Sequence, residues 1–268
     1  MYISMADSEP IVSWMKGQTP SQNIRHQTAL AAWQPGTSRW FLDSSEYKDW
    51  TQRVTPRLVT LGNPSCGKTT LCAAVIKQLN SHVASRTVGI AYYYWHHSED
   101  TDLKSTDLLR SLISQLCLHS QFNHEAPPPL QALFAQYKPS NLQPSNEEVI
   151  EVFTTIVHMF DACFIVMDGL EHCSDYSGFL EVVRGMEPRV CTLVTSRRSS
   201  RLGQFLENDS CSTASTCNFI IEEAYVTADV KVVLRAKSPS STPQKAFMGE
   251  IIDIIPQRAE EMYVRFRD

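Results

Sequence analysis

The chain has 268 residues, 43% hydrophobic and 20% charged, enough to bury a sizeable core in one large or two modest domains. A formal net charge of −5 argues against a dedicated nucleic-acid binder, which would carry a basic excess. No apolar stretch reaches the ~20 residues of a membrane helix, and the first ten residues lack the basic head and apolar run of a signal peptide. The eight cysteines form no CxxC pair, so zinc-ribbon and thioredoxin-like sites are disfavoured. Reduced, buried thiols in a cytoplasmic protein are expected.

Residues 1–55 form a polar lead-in carrying Trp14, Trp33, Trp40 and Trp50, with Pro35-Gly36 as a turn signal and a short helix expected over Ser44–Gln52. After Pro56, Arg57–Leu61 reads as a short buried strand ending at Gly62. A helix is expected from about Gly67 to Leu79, where Leu71, Val75, Ile76 and Leu79 recur at helical spacing. The β-branched and aromatic run Val88–Trp95 predicts a second strand. Helices follow over Ser105–Leu118 and Leu130–Tyr137, separated by Pro127-Pro128-Pro129. Ser145 and Glu148 have the capping-box spacing, predicting a helix to about Phe160. A strand Cys163–Met167, a helix Tyr176–Met186 and a strand Val190–Thr195 come next. Asn208–Thr216 reads as loop, Asn218–Ile221 as a fifth strand and Thr227–Arg235 as helix. Ser238–Thr242 reads as a linker before a helical tail, Ala246–Phe266, broken near Pro256. Alternating strands and helices predict a three-layer α/β fold with a five-stranded parallel sheet covered on both faces. The expected division is a lead-in (1–55), a core (56–225) and a helical extension (226–268).

Gly62-Asn63-Pro64-Ser65-Cys66-Gly67-Lys68-Thr69 fits G-x-x-x-x-G-K-[ST], between a predicted strand and a predicted helix. Glycines let the backbone curl until successive N–H groups face one point, and the helix start adds unpaired donors and positive dipole. Lys68 supplies a charge for β- and γ-phosphates, and the Thr69 hydroxyl suits Mg²⁺. Gly62 through Thr70 are therefore the expected nucleotide-binding residues. Cys66, between Lys68 and the helix start, is a candidate for a lowered thiol pKa.

Such a loop needs an acidic residue at the end of another buried strand to hold Mg²⁺. Asp168 fits, being preceded by Phe164-Ile165-Val166-Met167. Glu171, three residues on, is placed to position or activate a water. Arg197 or Arg198 closes the next strand, where a cation can stabilise charge in phosphoryl transfer. The hundred residues between Lys68 and Asp168 leave room for the arginine-bearing strand to lie between their two strands, the additional-strand (ASCE) plan. His96-His97 with Asp100 and Asp102 reads as a polar loop, and Tyr92–Trp95 as core packing rather than a base-stacking platform. No Asn-Lys-x-Asp guanine-reading motif is present, which tilts the expectation to ATP over GTP.

Together these residues resemble the NACHT-type signalling NTPases of the STAND class, in particular fungal NOD-like receptors and their nephrocystin-like N-terminal region. The likeness includes Pro35-Gly36-Thr37-Ser38-Arg39-Trp40-Phe41 and Tyr47-Lys48-Asp49-Trp50 ahead of the loop. It continues through Ile90–Trp95, Leu108–Leu116, Val166–Cys173 and Leu193–Arg197, and picks out Arg197 as the sensor. Ser38 and Ser65 stand where that family usually has glycine, and His172 where it has glutamate. The resemblance implies an ATP–Mg²⁺-dependent switch that acts on protein partners through self-association, with slow hydrolysis. The winged-helix and repeat modules of such receptors are not in this sequence, so the chain reads as a truncated form. A non-hydrolysing interaction module ranks second and a turnover NTPase third.

Overall fold

A computed structural model describes residues 5–17, 19–82, 87–95, 103–123, 125–139, 142–210 and 215–237. The lead-in supplies four helices: α1 (Met5–Lys16), α2 (Gln22–Ala32), α3 (Arg39–Leu42) and α4 (Ser45–Thr51). Only α4 was expected from the sequence. α2 buries Gln22, His26 and Ala29, two of them polar, so no apolar period marks it. α1 carries Pro10 inside it, which reads locally as a breaker.

The core then runs β1 (Arg57–Leu61), α5 (Lys68–His82), β2 (Val88–Tyr94), α6 (Ser105–Cys117), α7 (Pro128–Tyr137) and α8 (Asn146–His158). It continues with β3 (Ala162–Asp168), α9 (Tyr176–Arg184), β4 (Val190–Ser196), α10 (Arg201–Ser210), β5 (Thr216–Ile220) and α11 (Glu223–Lys237). The expected capping box is present: Ser145 Oγ accepts from Glu148 N–H at 3.3 Å, and Glu148 Oε2 accepts from Ser145 N–H at 2.8 Å. One expectation fails at Asn208–Ser210, which belong to α10 rather than to a loop, because the polar composition there conceals the end of a helix. The linker and helical tail expected after residue 237 lie outside the described residues.

The five strands form one parallel sheet in the order β2-β3-β4-β1-β5. β4 therefore separates the strand before the phosphate loop from the strand that ends at Asp168, as the additional-strand plan requires. Every residue of β1, β3 and β4 is buried, as befits strands covered on both faces. Alternate strand residues serve two separate cores. Ile165 and Met167 join one with α6, α8 and α9, while Phe164 and Val166 join the other with α5. The lead-in feeds both: Ile11 and Met15 enter the first, Phe41, Tyr47 and Trp50 the second. Trp50 is fully buried with its ring edge-on to Phe164 at 5.1 Å, a placement worth on the order of 2–3 kcal/mol of apolar transfer.

β2 lies at one edge of the sheet, and side chains complete its outward hydrogen bonds. Gln115 Nε2 donates to Tyr92 O at 2.8 Å, and its Oε1 accepts from Tyr92 N–H at 3.1 Å. Two residues on, Gln22 Oε1 accepts from Tyr94 N–H at 2.8 Å and Arg25 Nη1 donates to Tyr94 O at 2.6 Å. α2 is thus fastened to the strand end beside the site.

Candidate functional site

The loop 62–67 leaves the C-terminal end of β1 and enters α5. A side chain at Gly62 would place a Cβ 2.5 Å from Cys66 Sγ and 3.2 Å from Ile221, so anything larger than glycine forces those side chains to shift. Ser65 and Gly67 are both left-handed, at φ +60° and +90°. Lys68 reaches back along the loop, its Nζ donating to Asn63 O at 2.8 Å and Gly62 O at 3.1 Å. The result is a cradle of main chain at a helix N-terminus with an ammonium folded over it. Burial pushes the Cys66 thiol pKa up, and the nearby Lys68 only partly offsets that, so the expectation of a lowered value is overturned.

Asp168 ends β3, buried, and two hydroxyls grip its carboxylate. Thr69 Oγ1 donates to Oδ2 at 2.6 Å and Thr195 Oγ1 donates to Oδ1 at 2.6 Å. Thr195 is itself oriented by accepting from Gly169 N–H at 3.2 Å. Burial raises the Asp168 pKa against the pull of Thr195 and Thr69, and Glu171 adds to the rise. A desolvated carboxylate beside a hydroxyl is an oxygen donor set that gains from a hard cation, and it fits Mg²⁺ held by few protein ligands. Among the described residues no group of three or more His, Cys, Asp or Glu could hold a metal, and His96-His97 lie outside them. Sequence reasoning missed Thr195, although it lies in the Thr195-Ser196-Arg197 run quoted for its arginine.

After Asp168 the chain turns through Gly169, at φ +76°, into a 3₁₀ turn over Leu170–His172. Glu171 Oε1 accepts from Arg197 N–H at 3.2 Å and lies 3.8 Å from Arg197 Nε. The Glu171 side chain is 8% exposed and that of Arg197 46%. Glu171 Oε2 is buried with no hydrogen-bond partner among the described residues. α10 seats behind this pair: a Cβ at Gly203 would run into the carbonyl oxygens of Arg197 and Arg198. Gly203 is a second positioning residue that sequence reasoning missed.

Two cavities open beside the loop. One, of about 1190 Å³, is bounded by Thr69, Thr70, Asp168 and His172 on one side and by Tyr94, Trp95 and α2 on the other. The second, of about 230 Å³, lies between Ser65, Cys66 and Gly67 of the loop, Trp33 and Thr37 of the lead-in, and the apolar face of α11. The expected residues Gly62–Thr70, Asp168, Glu171 and Arg197 thus converge at the C-terminal ends of β1, β3 and β4.

The model of the family described as nephrocystin 3, N-terminal, matches residues 36–197. No curated protein matches the chain. Among solved structures the chain is similar to a Walker-type ATPase of Pyrococcus abyssi, at 15% identity and a TM-score of 0.44, over 82% of this chain and 65% of that one. The chain therefore spans just under two thirds of that protein's length.

Proposed function

The chain belongs to the nephrocystin 3 N-terminal family, and from that premise we propose that its P-loop domain binds ATP with Mg²⁺ and acts as a signalling switch of the NACHT type. The observation that carries the reading is the Thr69–Asp168 contact at 2.6 Å, which joins the loop's helix to the acidic strand end across the intervening β4. In this reading the loop amides and Lys68 hold the β- and γ-phosphates, and Lys68 exchanges its two loop carbonyls for phosphate oxygens. Thr69 and Asp168 hold the cation, which when bound neutralises phosphate charge. Glu171, whose Oε2 has no hydrogen-bond partner among the described residues, would orient a water and take its proton once its side chain turns from the buried position toward the phosphate. Arg197, seated by Glu171 and Gly203, faces developing charge on the terminal phosphate. The base occupies the cavity between the loop, the lead-in and α11. ATP is preferred over GTP because the sequence has no guanine-reading Asn-Lys-x-Asp.

Occupancy would bias an assembling against a resting state, with protein partners reached by self-association, as in the fungal NOD-like receptors that the sequence resembles. His172, standing where that family has glutamate, favours slow hydrolysis and keeps a non-hydrolysing interaction module as the second reading. Nucleotide titration of the wild type, with and without Mg²⁺, tests the proposal. Lys68→Ala is expected to weaken ATP binding by roughly 10-fold or more, the scale of a lost charge-assisted contact. His172→Glu is expected to raise turnover. A wild-type protein that binds neither ATP nor GTP would sink the reading.

A further inference from the structure

We propose that Thr195 of β4 is a positioning residue that makes the cation site selective for Mg²⁺ over the larger Ca²⁺, by holding one oxygen of Asp168 away from the metal. The inference rests on the nucleotide reading above and extends it to the choice of cation.

Placement comes first. Asp168 and Thr195 are register partners on neighbouring strands. Asp168 continues the side-chain row of Phe164 and Val166, and Thr195 that of Cys191 and Leu193. Both rows face α5, the helix that carries Thr69 and Cys72. The carboxylate therefore has a hydroxyl on either side, and the two differ in burial. Oδ2 accepts from Thr69, which is exposed, and Thr69 and Asp168 together line the cavity of about 1190 Å³. Oδ1 accepts from Thr195, which is fully buried, and Cys72 Sγ, also fully buried, lies 4.0 Å from the same oxygen. One oxygen is presented to the cavity and the other is turned into the core.

The hold on Oδ1 is itself braced. Thr195 Oγ1 donates to Oδ1 at 2.6 Å and accepts from Gly169 N–H at 3.2 Å, so its rotamer is fixed from both sides. Turning Asp168 to offer both oxygens would break the first bond and leave a buried hydroxyl without an acceptor. Thr69, by contrast, donates its hydrogen to Oδ2 and keeps its lone pairs for a cation.

Coordination chemistry then separates the cations. Mg²⁺ takes about six oxygens in near-ideal octahedral geometry, keeps several waters, and needs only one or two carboxylates beside the phosphates. Ca²⁺ takes about six to eight oxygens at longer distance and often draws both oxygens of one carboxylate. A carboxylate confined to one oxygen, beside one hydroxyl, meets the first demand and not the second. The two ions carry the same charge, so selectivity has to come from ligand number and freedom, which Thr195 restricts.

Calorimetric titration of the full chain with a non-hydrolysable ATP analogue, in saturating Mg²⁺ or saturating Ca²⁺, tests the assignment. The readout is the ratio of the two affinities, in which any general loosening of the site cancels. The wild type is expected to bind the Mg²⁺ complex roughly 10-fold more tightly than the Ca²⁺ complex. Thr195→Val keeps the shape but not the donor, and is expected to bring the two affinities within about 2-fold. Thr195→Ser keeps the donor and is expected to keep the wild-type ratio. If thermal melting shows Thr195→Val unfolded, the ratio in Thr195→Ala decides in its place. Thr195 as a mere packing residue predicts equal weakening of both complexes without its hydroxyl, and that unchanged ratio overturns the proposal. Loss of the preference in Thr195→Ser overturns it too, since the donor is still present there. A wild type that binds neither complex defeats the nucleotide reading itself, and this one with it. A wild type that binds both complexes equally well defeats only this one.

Discussion

Two serines show what single residues contribute at this site. Ser38 and Ser65 occupy positions where the resembled family has glycine, and both adopt left-handed backbone, φ +62° and +60°. That conformation costs an L-residue roughly 1–2 kcal/mol, so the surroundings must hold it. At Ser38 they do, through the Asp229 carboxylate, which accepts from its N–H at 3.0 Å. Asp168 is the more consequential case. Its pKa in the folded chain is raised, chiefly by burial, so folding favours the protonated form. Its contribution is therefore favourable below the ordinary value of 3.8 and is lost as pH rises through the folded value. At neutral pH the ionised group costs stability in the absence of a cation. Asp168→Asn is expected to raise the nucleotide-free melting temperature at pH 7 by about 2–4 °C, or roughly 1 kcal/mol, with the gain shrinking toward pH 4. Melts at both pH values check this, and a lower melting temperature at pH 7 would count against it. The same variant should lose Mg²⁺-dependent nucleotide binding, separating what the residue does for function from what it does for the fold.

At the scale of elements, β2 is an edge strand whose outward backbone groups need partners, and Gln115 supplies them. One side-chain amide satisfies both the N–H and the C=O of Tyr92, as a neighbouring strand would. Gln115→Ala should cost about 1–3 kcal/mol, the penalty for unsatisfied backbone groups, and speed hydrogen exchange at the Tyr92 amide. Gln115→Glu keeps an acceptor but removes the donor, so it should fall between. Equal stability of all three proteins by urea unfolding would show that water replaces the side chain without penalty. This device also marks how far the sequence can be read. β1, β3 and β4 were legible because buried parallel strands are continuous apolar runs, and α5 because its apolar residues recur at helical spacing. The loop, Asp168 and Arg197 were legible because their chemistry sits in short local motifs. Thr195, Gly203, Gln115 and Arg25 were not, because each acts on backbone or carboxylate that only the fold brings near. Arg25 and Tyr94 are 69 residues apart in the chain. No helix was expected over α10 at all, and α2 escaped because polar residues fill positions where periodicity would have shown a helix.

Across the whole molecule, the later part of the lead-in and α11 meet beside the phosphate loop. Asp229 of α11 holds Ser38 of the lead-in, a contact spanning 191 residues of sequence. Beside it Trp40 stacks on Tyr225 at 4.8 Å with planes only 6° apart, and Gly36, left-handed at φ +95°, lies close enough to α11 that a Cβ would sit 3.5 Å from Val232. The cavity of about 230 Å³ at the loop is walled by both partners of this clasp and includes Asp229 itself. A nucleotide that fills that cavity is expected to stabilise the clasp, and by linkage the clasp then favours the nucleotide in turn. Asp229→Ala should lower unfolding stability by about 1–3 kcal/mol, the range for a hydrogen bond to a charged group and the donor left behind. It should also weaken ATP and ADP alike, because it loosens a wall shared by both. In the wild type, bound nucleotide should slow hydrogen exchange at the Ser38 amide. Lower stability with unchanged affinity for both nucleotides would reduce the clasp to a structural fastening. Parallel losses would make it the route by which an occupied loop is felt in α11.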